Sequence, residues 1–181
     1  MKIIYQMMAV LGFFALMTSC SPNLTPFTQE LYEHTGLSEN DLKRVQFYVS
    51  RDVVLYRELI QGESKITNGR IKLKNGKQIE EVVIKSGTPG ALLFIPKANR
   101  FAISFEDGED SPFLMFGPNP KMDNRYALLA KEWKKYEGKV HYAGKIYQVE
   151  NDAAFASLLV DIDRIGDTRV RRKFAQGREI N

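Results

Sequence analysis

Beyond residue 45 the chain alternates apolar and polar positions with a period of two, the signature of β-strands with one buried face. Val45–Val49 and Asp52–Ile60 are rich in Val, Leu, Phe and Tyr and read as two strands, expected to pair with each other. Arg70 to Lys74 alternates charge with Ile71 and Leu73, and Asn75-Gly76 follows, a strong hairpin signal. The return strand carries Ile79, Val82, Val83 and Ile84. Gly87–Gly90 reads as a turn and Ala91–Ile95 as a short buried strand. Pro96–Asn99 is the next turn. Phe101, Ile103 and Phe105 alternate, and Phe113–Phe116 resumes after an acidic loop. From Tyr126 to Tyr136 the pattern predicts a strand running into a helical turn that holds Trp133. Lys139–Tyr142, Ala143-Gly144 and Lys145–Tyr147 form a tight hairpin. Over Phe155–Ile165, Leu158, Val160 and Ile162 alternate with Asp161 and Asp163, which favours strand over helix.

Ahead of these strands lie helical signals. Thr25 can cap a helix whose first position is Pro26, running through Leu31 and Tyr32 to Gly36. Ser38 caps a second short turn, with Asp41 three residues on. The expected class is therefore α+β, mainly antiparallel β: a short N-terminal helix followed by a β-barrel or sandwich-like domain. Residues 25–181 are expected to form that one domain. Gly117-Pro118-Asn119-Pro120 interrupts the pattern, and the alternative is two small β subdomains meeting near 117–122. Gly69–Lys77 also echoes Gly138–Lys145 with one residue fewer. Each precedes an Ala/Leu-rich strand, so a duplicated module and a plain series of hairpins both remain open.

The first nineteen residues follow a different logic. Lys2 supplies a positive start, Met7 to Met17 is apolar throughout, and Thr18 and Ser19 are small. Cys20, the single cysteine, comes next. This order is that of a cleaved export signal, and the apolar run falls short of the ~20 residues a spanning helix needs. Leu16-Met17-Thr18-Ser19-Cys20-Ser21 resembles the lipobox of bacterial lipoproteins, with Met17 where Leu, Val or Ile is usual, and its ending is similar to those of Bacteroidota lipoproteins. The resemblance covers about the first twenty residues. It implies cleavage before Cys20, a diacylglycerol on the thiol and a third acyl chain, such as palmitate, on the new amine. Residues 1–19 are then a lipoprotein signal peptide and 20–24 a lipidated tether. Ser21, in place of an aspartate, implies sorting to the outer membrane, on its periplasmic or cell-surface side. Two or more acyl chains hold a protein on a bilayer, where one binds only marginally.

Removing nineteen residues from 181 leaves 162, enough to bury a core without a disulfide or a metal. With one cysteine, a disulfide or a cysteine-based zinc cluster within the chain is excluded. The net charge of +4 falls to +3 once Lys2 is removed. Basic residues gather near the end: Arg164, Arg169, Arg171, Arg172, Lys173 and Arg178. They suit a solvated face or, outside the cytoplasm, anionic head groups or lipopolysaccharide rather than nucleic acid.

Candidate chemistry is sparse. There is no Gly-x-Ser-x-Gly elbow and no phosphate-cradling loop, and no cofactor is implied. His34 ends the predicted first helix. His141 lies on a strand face opposite Val140 and Tyr142. Glu106–Asp110 is the densest acidic run and reads as a solvated hairpin tip rather than a calcium loop. Asp161 and Asp163 share one face of the predicted last strand, next to Arg164. Phe101, Phe105, Phe113, Phe116, Trp133, Tyr136, Tyr142, Tyr147 and Phe155 read as core, the alternative being an exposed aromatic row for carbohydrate, peptide or lipid. The expected function is a non-enzymatic binding or assembly accessory, lipid-anchored through Cys20. An envelope protein, a glycan or lipopolysaccharide would be its partner. The alternatives are an enzyme acting on an envelope polymer through Asp161 or His141, and a structural subunit of an envelope complex.

Overall fold

A computed structural model describes residues 23–59, 70–74, 77–108, 111–134, 137–149 and 151–169. The leader, Cys20, the Asn75-Gly76 tip and the basic residues beyond Arg169 lie outside the described residues. The chain is mostly antiparallel β, in two sheets that do not close into a barrel.

Thr25-Pro26 does not open a helix. Leu24–Pro26 is strand β1, and helix α1 spans Gln29–Thr35. Thr28, not Thr25, is the cap, its Oγ1 accepting from the Leu31 N–H at 3.1 Å. Phe27, fully buried just before the cap, packs its ring on Tyr32 one turn into the helix. That staple sets where the helix starts. Gly36, at φ 57°, ends α1 in the left-handed conformation that glycine adopts cheaply. Ser38 and Asp41 form a capping box on α2 (Glu39–Leu42).

Strands β2 (Phe47–Val49) and β3 (Val53–Glu58) do not pair; they belong to different sheets. The corner between them is held by Asp52, which accepts from Lys85 Nζ at 2.7 Å and from the Ser86 N–H at 2.8 Å. β4 (Arg70–Lys74) and β5 (Lys77–Ile84) form the expected hairpin. Next come β6 (Pro89–Lys97), β7 (Arg100–Ser104) and β8 (Phe113–Asn119), so Gly117–Asn119 completes a strand. A 3-10 turn at Pro120–Met122 leads to β9 (Arg125–Leu128). Trp133 lies in β10 (Lys131–Lys134), not in a helical turn. β11 (Glu137–Tyr142) and β12 (Lys145–Val149) form the second hairpin. The last apolar segment is not one strand. β13 is Leu158–Asp161, and helix α3 takes over at Ile162–Arg169. The Asp161 carboxylate accepts from the Asp163 N–H at 3.2 Å, a local bond that competes with strand continuation.

The first sheet runs β1-β13-β2-β6-β7-β8-β9 and the second β10-β11-β12-β3-β5-β4. The first sheet curls until its edges approach each other. Tyr126 N–H donates to the Phe27 carbonyl and Leu128 N–H to the Ala156 carbonyl, both at 2.9 Å. These contacts are isolated bridges and not a ladder, because α1 and the turn before β13 occupy the seam. That is why the expected barrel stays open. Inside the curl, Phe27, Phe47, Phe101 and Tyr126 stack edge-on or tilted with centroids 4.6–6.1 Å apart. The buried faces of both sheets belong to one hydrophobic cluster, with Leu55, Ile84, Tyr147 and Val149 from the second.

The two echoing hairpins flank β3 on opposite sides, β5 against one edge and β12 against the other, both antiparallel to it. They feed β6 and β13, which flank β2 in the same way. This arrangement is mirrored within the sheet: a rotation carrying one hairpin onto the other turns the sheet over. The one-residue difference in the echo fits this. Lys74↔Lys77 closes the first turn and Tyr142↔Lys145 the second, so aligning the turns puts Lys74 on Tyr142 and shifts the apolar phase by one.

Candidate functional site

His34 sits exposed in the last turn of α1, and His141 is exposed on β11 between buried Val140 and Tyr142. Asp161 ends β13 and Asp163 lies in the first turn of α3, so the two are not on one strand face. Arg164 Nε approaches Asp161 Oδ2 at 3.6 Å. Among the described residues no group of three or more His, Cys, Asp or Glu side chains is placed to hold a metal ion.

Glu106 is not a solvated tip. It is half-buried, and its carboxylate accepts from the Tyr142 hydroxyl. Burial, reinforced by that carboxylate, pushes the Tyr142 phenol well above its usual range, so it stays protonated and donates. Tyr142 in turn packs edge-on against Tyr147, at 6.1 Å.

Tyr147 leads to a charged cluster that the sequence reading missed. Glu80 is fully buried and accepts from Arg57 Nε at 2.6 Å, with Lys145 Nζ 3.7 Å away. The Arg57 guanidinium lies 5.9 Å from the centre of the Tyr147 ring. Burial raises the pKa of the Tyr147 hydroxyl. Arg57 and Glu80 face each other directly across β3 and β5. The signal was available: Glu80 is in phase with Val82 and Ile84, and Arg57 with Val53 and Leu55. Each strand thus has one charge on its apolar phase. A carboxylate with no exposed surface braces the sheet and does not meet a substrate.

A groove of about 380 Å³ opens where β8 of the first sheet approaches β11 of the second. Its floor is apolar: Phe113 and Met115 on the face of β8 opposite Leu114 and Phe116, with Leu129 and Val140 beside them. Its rim is basic: Arg100, Lys131, Lys139 and His141. Gly117 makes room for one of these cations. A Cβ there would come within 2.7 Å of Arg100 Nη1 and 2.9 Å of the Asn99 carbonyl oxygen, so only glycine lets the guanidinium lie along β8. On β10, Glu132 adopts φ 56° where the register with β11 shifts. It accepts from Lys139 Nζ at 2.7 Å, a bond that holds its pKa below the usual carboxylate range. Glu132 therefore offsets Lys139. Arg100 and Lys131 have no ion pair or side-chain hydrogen bond among the described residues. His141 was a sequence candidate, but Arg100 and Lys131 were not, since they are brought to it only by the meeting of two sheets.

The chain matches no protein-family model, no curated protein and no solved structure.

Proposed function

We propose that this chain is a bacterial lipoprotein held at the outer membrane through acylated Cys20. There it serves as a non-enzymatic binding or assembly accessory of the cell envelope, built on a sandwich-like pair of sheets. One observation carries the reading: the register of β1 on β13 pairs Leu24 with Asp161. Cys20 lies four residues before Leu24, a reach of at most about 14 Å. The anchor is thus tied to the pole where α3 begins. From Ile162 to Asn181 there are six basic and three acidic residues, a net +3. That equals the whole net charge of the chain once the leader is removed, so residues 20–161 are neutral. Acylation and a basic segment starting at the same pole make up a two-part membrane signal, with each cation near an anionic surface adding about 1 kcal/mol.

Labelled palmitate tests the anchor. Wild-type chain is expected to carry label and fractionate with membranes, and Cys20→Ala to lose both. Label and membrane retention in the variant would overturn the reading. Mass spectrometry of partners captured with the native lipidated protein then tests the accessory role, and a repeated absence of any envelope protein, glycan or lipopolysaccharide would count against it.

A further inference from the structure

The groove between β8 and β11 combines an apolar floor with a basic rim. At about 380 Å³ it lies within the range of small-molecule sites. Its floor is apolar and extends outward through Phe94, 38 % exposed, whose ring stands edge-on to Phe113 at 5.1 Å. Its nearest cations are Arg100, laid along β8 over Gly117, and Lys131. The carboxylate beside them, Glu132, accepts its hydrogen bond from Lys139 and acts on Lys131 only through space, so neither Arg100 nor Lys131 is hydrogen-bonded to it. A guanidinium with a free fork at the end of an apolar trough matches a planar carboxylate on an apolar chain.

We infer that this groove binds a small single-chain carboxylate, its tail on Phe113 and Met115 and its head on Arg100 and Lys131. The inference goes beyond the proposed function and does not depend on it, since no part of the groove involves Cys20.

The test uses residues 21–181, which contain every described residue. Only two methionines remain in that span, Met115 on the groove floor and Met122 in the 3-10 turn. Methyl-labelled methionine thus gives one reporter in the site and one internal control. Octanoate is expected to shift Met115 and leave Met122 still. It should bind at least about tenfold more tightly than octanol, the ratio that 1.4 kcal/mol of head-group interaction produces. Octylammonium should bind more weakly than either. Arg100→Gln and Lys131→Gln should each shrink the octanoate preference, with Met122 and the urea midpoint unchanged as the check on folding. Equal binding of octanoate and octanol, octylammonium binding as well as octanoate, or a Met115 signal unmoved at about 5 mM octanoate would each overturn the inference.

Discussion

Glu80→Gln is the substitution through which the fold is most exposed. The side chain keeps its size and one acceptor but loses its charge, while Arg57, whose side chain is only 11 % exposed, keeps its own. With about 4 Å between charge centres and an effective dielectric near 20, the attraction removed is about 4 kcal/mol. The variant recovers the cost of burying a carboxylate but leaves the Arg57 guanidinium and the nearby Lys145 ammonium facing a neutral side chain. Losses of this kind run at ~3–5 kcal/mol. Because Gln still accepts a hydrogen bond, about 3 kcal/mol is expected. For a chain of this size that is a drop in Tm of about 6–12 °C. Urea unfolding followed by Trp133 fluorescence and by circular dichroism measures it. Arg57→Met combined with Glu80→Met supplies the control, because it removes the buried pair and fills the space with apolar atoms, while the partly exposed Lys145 can turn toward water. The double variant should be more stable than either single one and within about 1 kcal/mol of wild type. A Glu80→Gln loss below about 1 kcal/mol, or a double-variant loss equal to the sum of the singles, would refute the claim that these two charges are strongly coupled.

Gly138→Ala should cost about 1–3 kcal/mol and shift the Trp133 emission, because a Cβ there would sit 2.9 Å from the indole ring and 2.7 Å from the Ala130 methyl. Phe27→Ala should cost about 3–5 kcal/mol in urea melts, since this fully buried ring touches Tyr32, Phe47, Phe101 and Tyr126. Ala143→Asn should stabilise the fold by up to about 1 kcal/mol, read as a higher urea midpoint. Ala143 at φ 48° precedes Gly144 at φ 72° in a turn that favours Asn-Gly. Lys85 and the Ser86 N–H hold the Asp52 pKa below its usual range, so the unfolded state takes up the proton first as pH falls. The stability this carboxylate supplies is therefore present at neutral pH and is lost in acid, below the ordinary carboxylate value near pH 4. Chemical denaturation should show the gap between wild type and Asp52→Asn narrowing from pH 7 to pH 3.

The strands of both hairpins were legible because period-two alternation and two-residue turns are local signals, and so was the burial of Phe101 and Phe116. Misreadings arose where two local signals competed. Thr25-Pro26 carries good helix-start chemistry, but Phe27 is drawn into the core and moves the cap to Thr28. Over residues 158–165 the alternation is real only as far as Asp161, whose side chain then bonds the next turn of backbone. The groove was illegible in principle: Arg100, Met115, Lys131 and His141 belong to four strands of two sheets, and no spacing along the chain encodes their meeting.

Read alone, the residues of this protein determine its β class and its two hairpins, and they carry the leader pattern on which the proposal for Cys20 rests, because each depends on neighbours a few positions apart. Tertiary structure alone decided that β2 and β3 part company, that the first sheet curls without closing, and that Arg57 and Glu80 neutralise each other across the core. It also decided that Gly117 clears a path for Arg100 at the mouth of an apolar groove. The physical reason is the same in each case: desolvation and charge pairing act between residues that are close in space, whatever their separation along the chain.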